Sequence, residues 1–304
     1  MTNVIRKVIR PEKEWAVERL LVRQYQGRPE LGAGAASDVA ARMRVLQQRQ
    51  EYVRMVFAAA PSQNEFLQAL AAEPGIRWDK VIAFHLDEYV GLPEGAPQTF
   101  RHYLQEHIFS QVPVPFAQVN LINGHVNVGE ARGVGEAQEA REAHGVREAR
   151  EAHGVREAQE AHNAQAQAEC RRYASLLVDE PADIACLGIG ENGHLAFNDP
   201  PVADFLDPEV VKIVELEDKC RQQQVHDGCF PTLDQVPTHA FTMTIPALMA
   251  ADYLFCIVPG ATKTAAVKDT LTQPVSEACP ATILRRHMRA VLYIDRESGA
   301  GWSQ

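Results

Sequence analysis

The chain has 304 residues, 46% of them hydrophobic and 23% charged, with a formal net charge of −10. A chain of that length can bury most of its apolar surface, and residues 1–304 read as a single domain. The acidic balance argues against a general nucleic-acid surface, and no apolar run approaches the roughly 18 residues that would span a bilayer.

The first residues, MTNVIRKVIRPEKEW, carry charges where a signal peptide has its apolar stretch, so a cytoplasmic location is expected. Six cysteines are scattered without a C-x-x-C pair and read as reduced thiols. "LGAGAASDVAARMRVLQQRQ" is Ala-rich and predicts a helix despite two early glycines; "YVRMVFAAA" predicts a buried strand. Pro61-Ser62-Gln63 turns that strand into the helix "EFLQALAAE". "DKVIAFHLDEY" reads as one strand with His85 and Asp87 on one face, ending by Gly91-Leu92-Pro93, and "QTFRHYLQEHIF" reads as a helix.

Residues 130–168 stand apart. Gly145–His153 and Gly154–His162 repeat every nine residues, in a segment rich in helix formers and poor in core residues. Its histidines, His144, His153 and His162, could ligate metal, but a duplicated helical insertion facing solvent is the expected reading. Beyond it, "ADIACLGIG", "YLFCIVPG" and "AVLYIDR" predict strands, with the helix "TKTAAVKDTLT" before the last. Alternating strands and helices predict an α/β fold, a largely parallel sheet covered on both faces, with sites at the carboxyl ends of its strands.

Gly188-Ile189-Gly190-Glu191-Asn192-Gly193 matches the G-x-G-x-x-G of dinucleotide sites. Such a site needs a helix opening at the last glycine. Pro200-Pro201 interrupts any helix there, so no dinucleotide cofactor is expected. What remains is a flexible loop carrying His194, Asn198 and Asp199. A histidine beside a carboxylate can be held in one tautomer and move protons near neutral pH. Asp87, at a strand end, is a candidate base. A His85/Asp87/His194 metal site is conceivable, yet it lacks an evident further ligand, and no metal is expected. Ser62 and Lys263 each sit at a strand-to-helix junction, where a hydroxyl, a cation and free amides can hold phosphate.

"FHLDEYVGLP" and "GIGENGHLAFNDP" resemble two motifs of the glucosamine-6-phosphate deaminase/isomerase family, and similarity extends through "VNLINGHV", "VPTHAFTMTIPALMAADY" and "VPGATKTAAV". The resemblance implies a three-layer α/β/α fold of Rossmann-like type. It also implies conversion of an aminosugar phosphate, glucosamine 6-phosphate or a close analogue, to a ketose phosphate plus ammonia. On this resemblance Asp87 matches the base that moves a proton from carbon 2 to carbon 1. His194 matches the residue assisting ring opening, and Asp199 the carboxylate orienting it. Asn192 stands where the family has a third catalytic-loop residue, an aspartate. Ser62, Gln63, Glu88, Gly190, Gly193 and Lys263 fall at the implied substrate-binding positions.

The departures are specific. Asn192 removes a charged neighbour of His194, Asp199 is one methylene shorter than the family's glutamate, and Ala59-Ala60-Pro61-Ser62-Gln63 replaces its phosphate loop. No arginine in "CRQQQVHDGCFPTLDQVP" aligns with its second phosphate cation, though Arg221 is nearby. Hydrolysis of a 6-phosphogluconolactone and non-catalytic sugar-phosphate sensing are the alternative readings. The partner expected is a small sugar phosphate, with homo-oligomer formation left open.

Overall fold

A computed structural model describes residues 9–126 and 163–302. The nonapeptide repeat, Gly145–His162, and the histidines of the segment 130–168 lie outside the described residues; of that segment only residues 163–168 are described, and they are helical.

The chain begins with an antiparallel hairpin, β1 (Lys13–Val17) and β2 (Leu20–Tyr25), followed by α1 (Arg28–Leu46), β3 (Val53–Phe57) and α2 (Asn64–Ala71). Next come β4 (Val81–His85), β5 (Asp87–Tyr89), α3 (Phe100–Leu104) and the two-residue β6 (Gln118–Val119). A helix whose described part spans 163–175, α4, leads to β7 (Ile184–Leu187), β8 (Val211–Glu215), α5 (Asp218–His226) and β9 (His239–Met243). The short α6 (Ile245–Met249), β10 (Tyr253–Val258), α7 (Thr264–Thr272) and β11 (Ala290–Asp295) complete the chain.

Eight strands form one sheet in the order β1-β2-β11-β10-β7-β3-β4-β6, parallel throughout except for β1. Its inner strands β3, β7, β10 and β11 are buried on both faces. Val53, Met55, Phe57, Phe255 and Ile257 point into a core shared with α1, α2 and α3. Val56, Leu254, Cys256 and Val258 point into an opposite core shared with α4, α6 and α7. This alternation within continuous apolar runs makes the three-layer α/β/α fold. The glycines that weaken the α1 pattern have a packing role. A β-carbon at Gly32 would come within 2.7 Å of the Glu65 backbone, so glycine lets α1 lie directly on α2.

"DKVIAFHLDEY" is not one strand. The main-sheet pairing ends at His85, and Asp87–Tyr89 pairs instead with β9 in a second, antiparallel sheet of order β5-β9-β8. Leu86 is the hinge: its N–H donates to Phe57 O and its carbonyl accepts from Met243 N. Period alone could not reveal that break, because every residue from Ala83 to Val90 is buried. β1, β2, β6, β8 and β9 were also not anticipated. The outer edge of β4 is covered by β6 for two residues and then by Tyr173 of α4, whose hydroxyl bonds both the N–H and the carbonyl of His85.

Candidate active site

The sheet order reverses between β3 and β7: β4 and β6 extend one way, β10 and β11 the other. At such a switch point the loops leaving the carboxyl ends part and open a crevice. Here the cleft and its solvent-open mouth together span about 520 Å³. It is lined from the β3 end by Ser62 and Gln63, and from the β4–β5 corner by Asp87. Gly190 and His194 line it after β7, and Lys263 after β10.

The loop after β7 is folded without a helix, as the proline pair predicted. Gly193 takes a left-handed conformation (φ 85°), and its carbonyl accepts from Ala281 N–H. Ala196 is also left-handed (φ 52°), unusual for a residue with a β-carbon. Phe197 N–H donates to Thr242 Oγ1 (3.0 Å), while Asn198 Nδ2 donates to Leu195 O and Met243 O, tying the loop to β9. Asp87 pairs in register with the same Thr242. The small sheet thus holds the loop and Asp87 in one frame.

His194 Nδ1 lies 2.8 Å from Asp199 Oδ1, both groups being almost fully buried. That engages one ring nitrogen and leaves Nε2 for the cleft. Burial disfavours the Asp199 anion, but hydrogen bonds from His194 and Asn192 outweigh it, so this carboxyl is held below its ordinary range. Asn192 does not line the cleft. Its Nδ2 reaches both Asp199 Oδ1 and Glu217 Oε2 at 2.9 Å, and its Oδ1 accepts from His194 N–H at 3.1 Å.

Asp87 is buried, and desolvation, then the adjacent Glu88, push its pKa well above the usual carboxylate value. Glu88 turns away from the cleft. Its carboxylate accepts from the N–H groups of Tyr89, Phe100 and Arg101, capping α3. Burial raises Glu88 to about 7 against the pull of those three bonds. His85 is also outside the cleft, with Nε2 accepting from Ile122 N–H at 2.7 Å. The His85/Asp87/His194 metal trio is therefore not assembled. Among the described residues the metal-capable cluster is His194, Asp199 and Cys220, with ligand atoms within 4.8 Å of one another.

At the other end of the cleft, Gln63 Nε2 donates to Ile257 O and reaches Ser62 Oγ at 3.2 Å. Lys263 is 5% exposed; burial lowers its pKa, and Asp227 partly offsets this. Arg221 is elsewhere: its guanidinium donates to Leu233 O and Val236 O and pairs with Asp218. Its helix contributes Gln223 and Gln224 instead, both buried and lining the cleft, with Asp227 just after them. Gln224 Oε1 accepts from Tyr89 O–H (2.6 Å), and Gln223 Oε1 from Glu191 N–H (2.8 Å). The sequence signal for these two was a glutamine run on a short helix, which does not distinguish a buried face from a wet one.

A family model described as glucosamine-6-phosphate isomerases/6-phosphogluconolactonase matches residues 27–293. The chain belongs to that family. Among its relatives are proteins named glucosamine-6-phosphate deaminase from Bacillus thuringiensis and Bacillus anthracis. Each is 32% identical over 219 residues, covering 72% of this chain and 67% of the relative. A solved monomeric glucosamine-6-phosphate deaminase superposes with a TM-score of 0.72 at 24% identity, covering 92% of this chain and 99% of its own. The 6-phosphogluconolactonase of Thermotoga maritima superposes at 0.63 with 16% identity, over 90% of this chain and 98% of its own, a likeness of fold. This member of the family is an enzyme of the glucosamine-6-phosphate deaminase/isomerase type. No helix among the described residues is long and apolar enough to cross a membrane.

Proposed function

We propose that this enzyme converts glucosamine 6-phosphate and water to fructose 6-phosphate and ammonia. The observation that carries the reading is one cleft holding a buried carboxyl, an oriented histidine and a buried lysine: Asp87, His194 and Lys263. This set suits proton transfer at one end and anion anchoring at the other, without an activated nucleophile.

In this scheme Lys263 and Ser62 hold the phosphate, and Gln63, whose amide N–H groups are spent on Ile257 O and Ser62 Oγ, braces Ser62. His194, fixed through Nδ1 by Asp199, exchanges a proton with the sugar's ring oxygen as the ring opens. Asp87 takes the proton from carbon 2 and returns it at carbon 1. Electrons move through the substrate's own amine and carbonyl, giving a ketimine that water hydrolyses to the ketose and ammonia. Gln224 is an added substrate donor: with Oε1 engaged by Tyr89, its amide N–H groups remain for the cleft.

The test is ammonia release from glucosamine 6-phosphate by wild type and Asp87→Asn in parallel. Release by wild type alone supports the reaction and the role of Asp87 together. Release by neither, with turnover of 6-phosphogluconolactone, assigns lactone hydrolysis instead. Saturable binding with no product from either compound assigns a sensor.

A further inference from the structure

Position 192 departs from the family motif by carrying an amide, and the structure places a carboxylate beside it that the motif does not include. Glu217 is the N-cap residue of α5, a position where a short polar side chain such as Asp or Ser ordinarily bonds the first N–H groups of its own helix. It makes no such bond. Its Oε2 instead accepts from Asn192 Nδ2 at 2.9 Å. The same Nδ2 donates to Asp199 Oδ1 at 2.9 Å, and Asn192 Oδ1 accepts from His194 N–H at 3.1 Å. The Glu217 N–H also points to Asp199 Oδ2, at 3.4 Å.

Two acceptors on one side and an N–H donor on the other leave the Asn192 amide a single orientation. Both Nδ2 protons are used, each on a carboxylate. An aspartate at 192 would place oxygen where Nδ2 now lies, so three carboxylates would meet, with the His194 imidazole as their one ionisable basic partner among the described residues. Carboxylates this close cannot all ionise.

Resting on the function proposed above, we propose that Glu217 is a positioning residue of the catalytic loop. Its carboxylate clamps Asn192, and through Asn192 and its own N–H it holds Asp199 against His194. In this chain the carboxylate that faces the side chain at 192 is that of Glu217. Charges at 192 and 217 therefore exclude one another.

The experiment is a double-substitution cycle with Asn192→Asp, Glu217→Gln and the pair, adding Glu217→Ala, on the full chain. Both thermal midpoint and steady-state ammonia release are read. Glu217→Ala is expected to lower kcat about tenfold with KM little changed, as for a group acting on the reacting geometry alone. Glu217→Gln, whose carbonyl oxygen can still accept from Asn192, retains most activity. Asn192→Asp is expected to lower the thermal midpoint by several degrees and kcat roughly 100-fold at neutral pH. Adding Glu217→Gln to it restores at least about tenfold in kcat and most of the midpoint, the mark of two directly coupled sites. Independent effects on both readouts, or a Glu217→Ala loss confined to KM, overturn the proposal. If wild type releases no ammonia, the proposed reaction fails while the thermal cycle still decides the charge exclusion, since it needs no substrate.

Discussion

Gly190 lies flat against the imidazole of His194: a β-carbon at 190 would fall inside the van der Waals surface of the ring, nearest its Cε1 and Nε2 atoms. The His194 carbonyl also accepts from Gly190 N–H at 3.0 Å, so backbone and ring are fixed together. Gly190→Ala must therefore move the ring off Asp199. We expect kcat to fall about 100-fold, the scale of a 1 Å misplacement, while the protein remains folded. Circular dichroism alongside ammonia assays checks both parts, and near-normal kcat would contradict the geometry.

Asp87 is expected to act only when ionised, yet burial and Glu88 favour its protonated form. Asp87→Asn should cost at least about 1,000-fold in kcat, within the usual contribution of a general base, with substrate binding retained. Activity of wild type should rise with pH through this titration. Glu88→Gln removes the neighbouring negative charge, so the acid limb of kcat against pH should shift to lower pH. An unmoved limb would show that another group sets it.

Lys263 anchors an anion that does not change during the reaction, so its loss should weaken ground state and transition state alike. Lys263→Ala is expected to raise KM about 10- to 100-fold with kcat changed far less, the range of a charged hydrogen bond. Asp227→Asn, which takes an anion out of the same cleft, should lower KM for the phosphorylated substrate. Steady-state kinetics of both variants decide the point.

His85 gives a prediction about stability. Burial, then Arg101, depress its pKa to about 3 from an ordinary 6.5. Below pH 6.5 the unfolded chain therefore takes a proton that the folded chain refuses until about pH 3. The associated stability is fully present above 6.5 and is lost as pH falls through this window, by about 1.4 kcal/mol per pH unit. Glu88 works oppositely, its raised pKa favouring the folded state at low pH and losing that contribution as pH rises through about 7. His85→Gln, whose amide oxygen can take the Ile122 N–H, should remove only the first slope. Urea unfolding at pH 4.5 and 5.5, inside this window, should show wild type losing stability on acidification relative to the variant by about that amount per unit.

The main-sheet strands β3, β4, β7, β10 and β11 were legible because each is a short apolar run bounded by turn residues, a pattern that survives burial on both faces. The functional loop was legible for a different reason. Glycines at 188, 190 and 193, a histidine and a closing proline pair specify backbone and chemistry locally. What was hidden depended on partners distant in sequence. The chain leaves the main sheet at Leu86 because β9, some 155 residues on, offers another pairing. Glu88 sits inside the most recognisable motif, yet it is spent on the N-terminus of α3. Gln223 and Gln224 belong to a run of three glutamines whose polarity gives no sign of burial, and only packing turns them inward.

The covering of β4 by a two-residue strand and one tyrosine hydroxyl has a consequence for behaviour in concentrated solution. A parallel sheet normally ends in a row of free amides and carbonyls that can template a strand from another molecule. Here the ladder beyond β6 closes on a side chain: Tyr173 takes both backbone groups of His85. The opposite border is β1, which presents Lys13 and Glu14 to solvent. Among the described residues neither border of the main sheet offers a long, uncharged stretch of open backbone, so this sheet resists the edge-to-edge stacking that seeds aggregates.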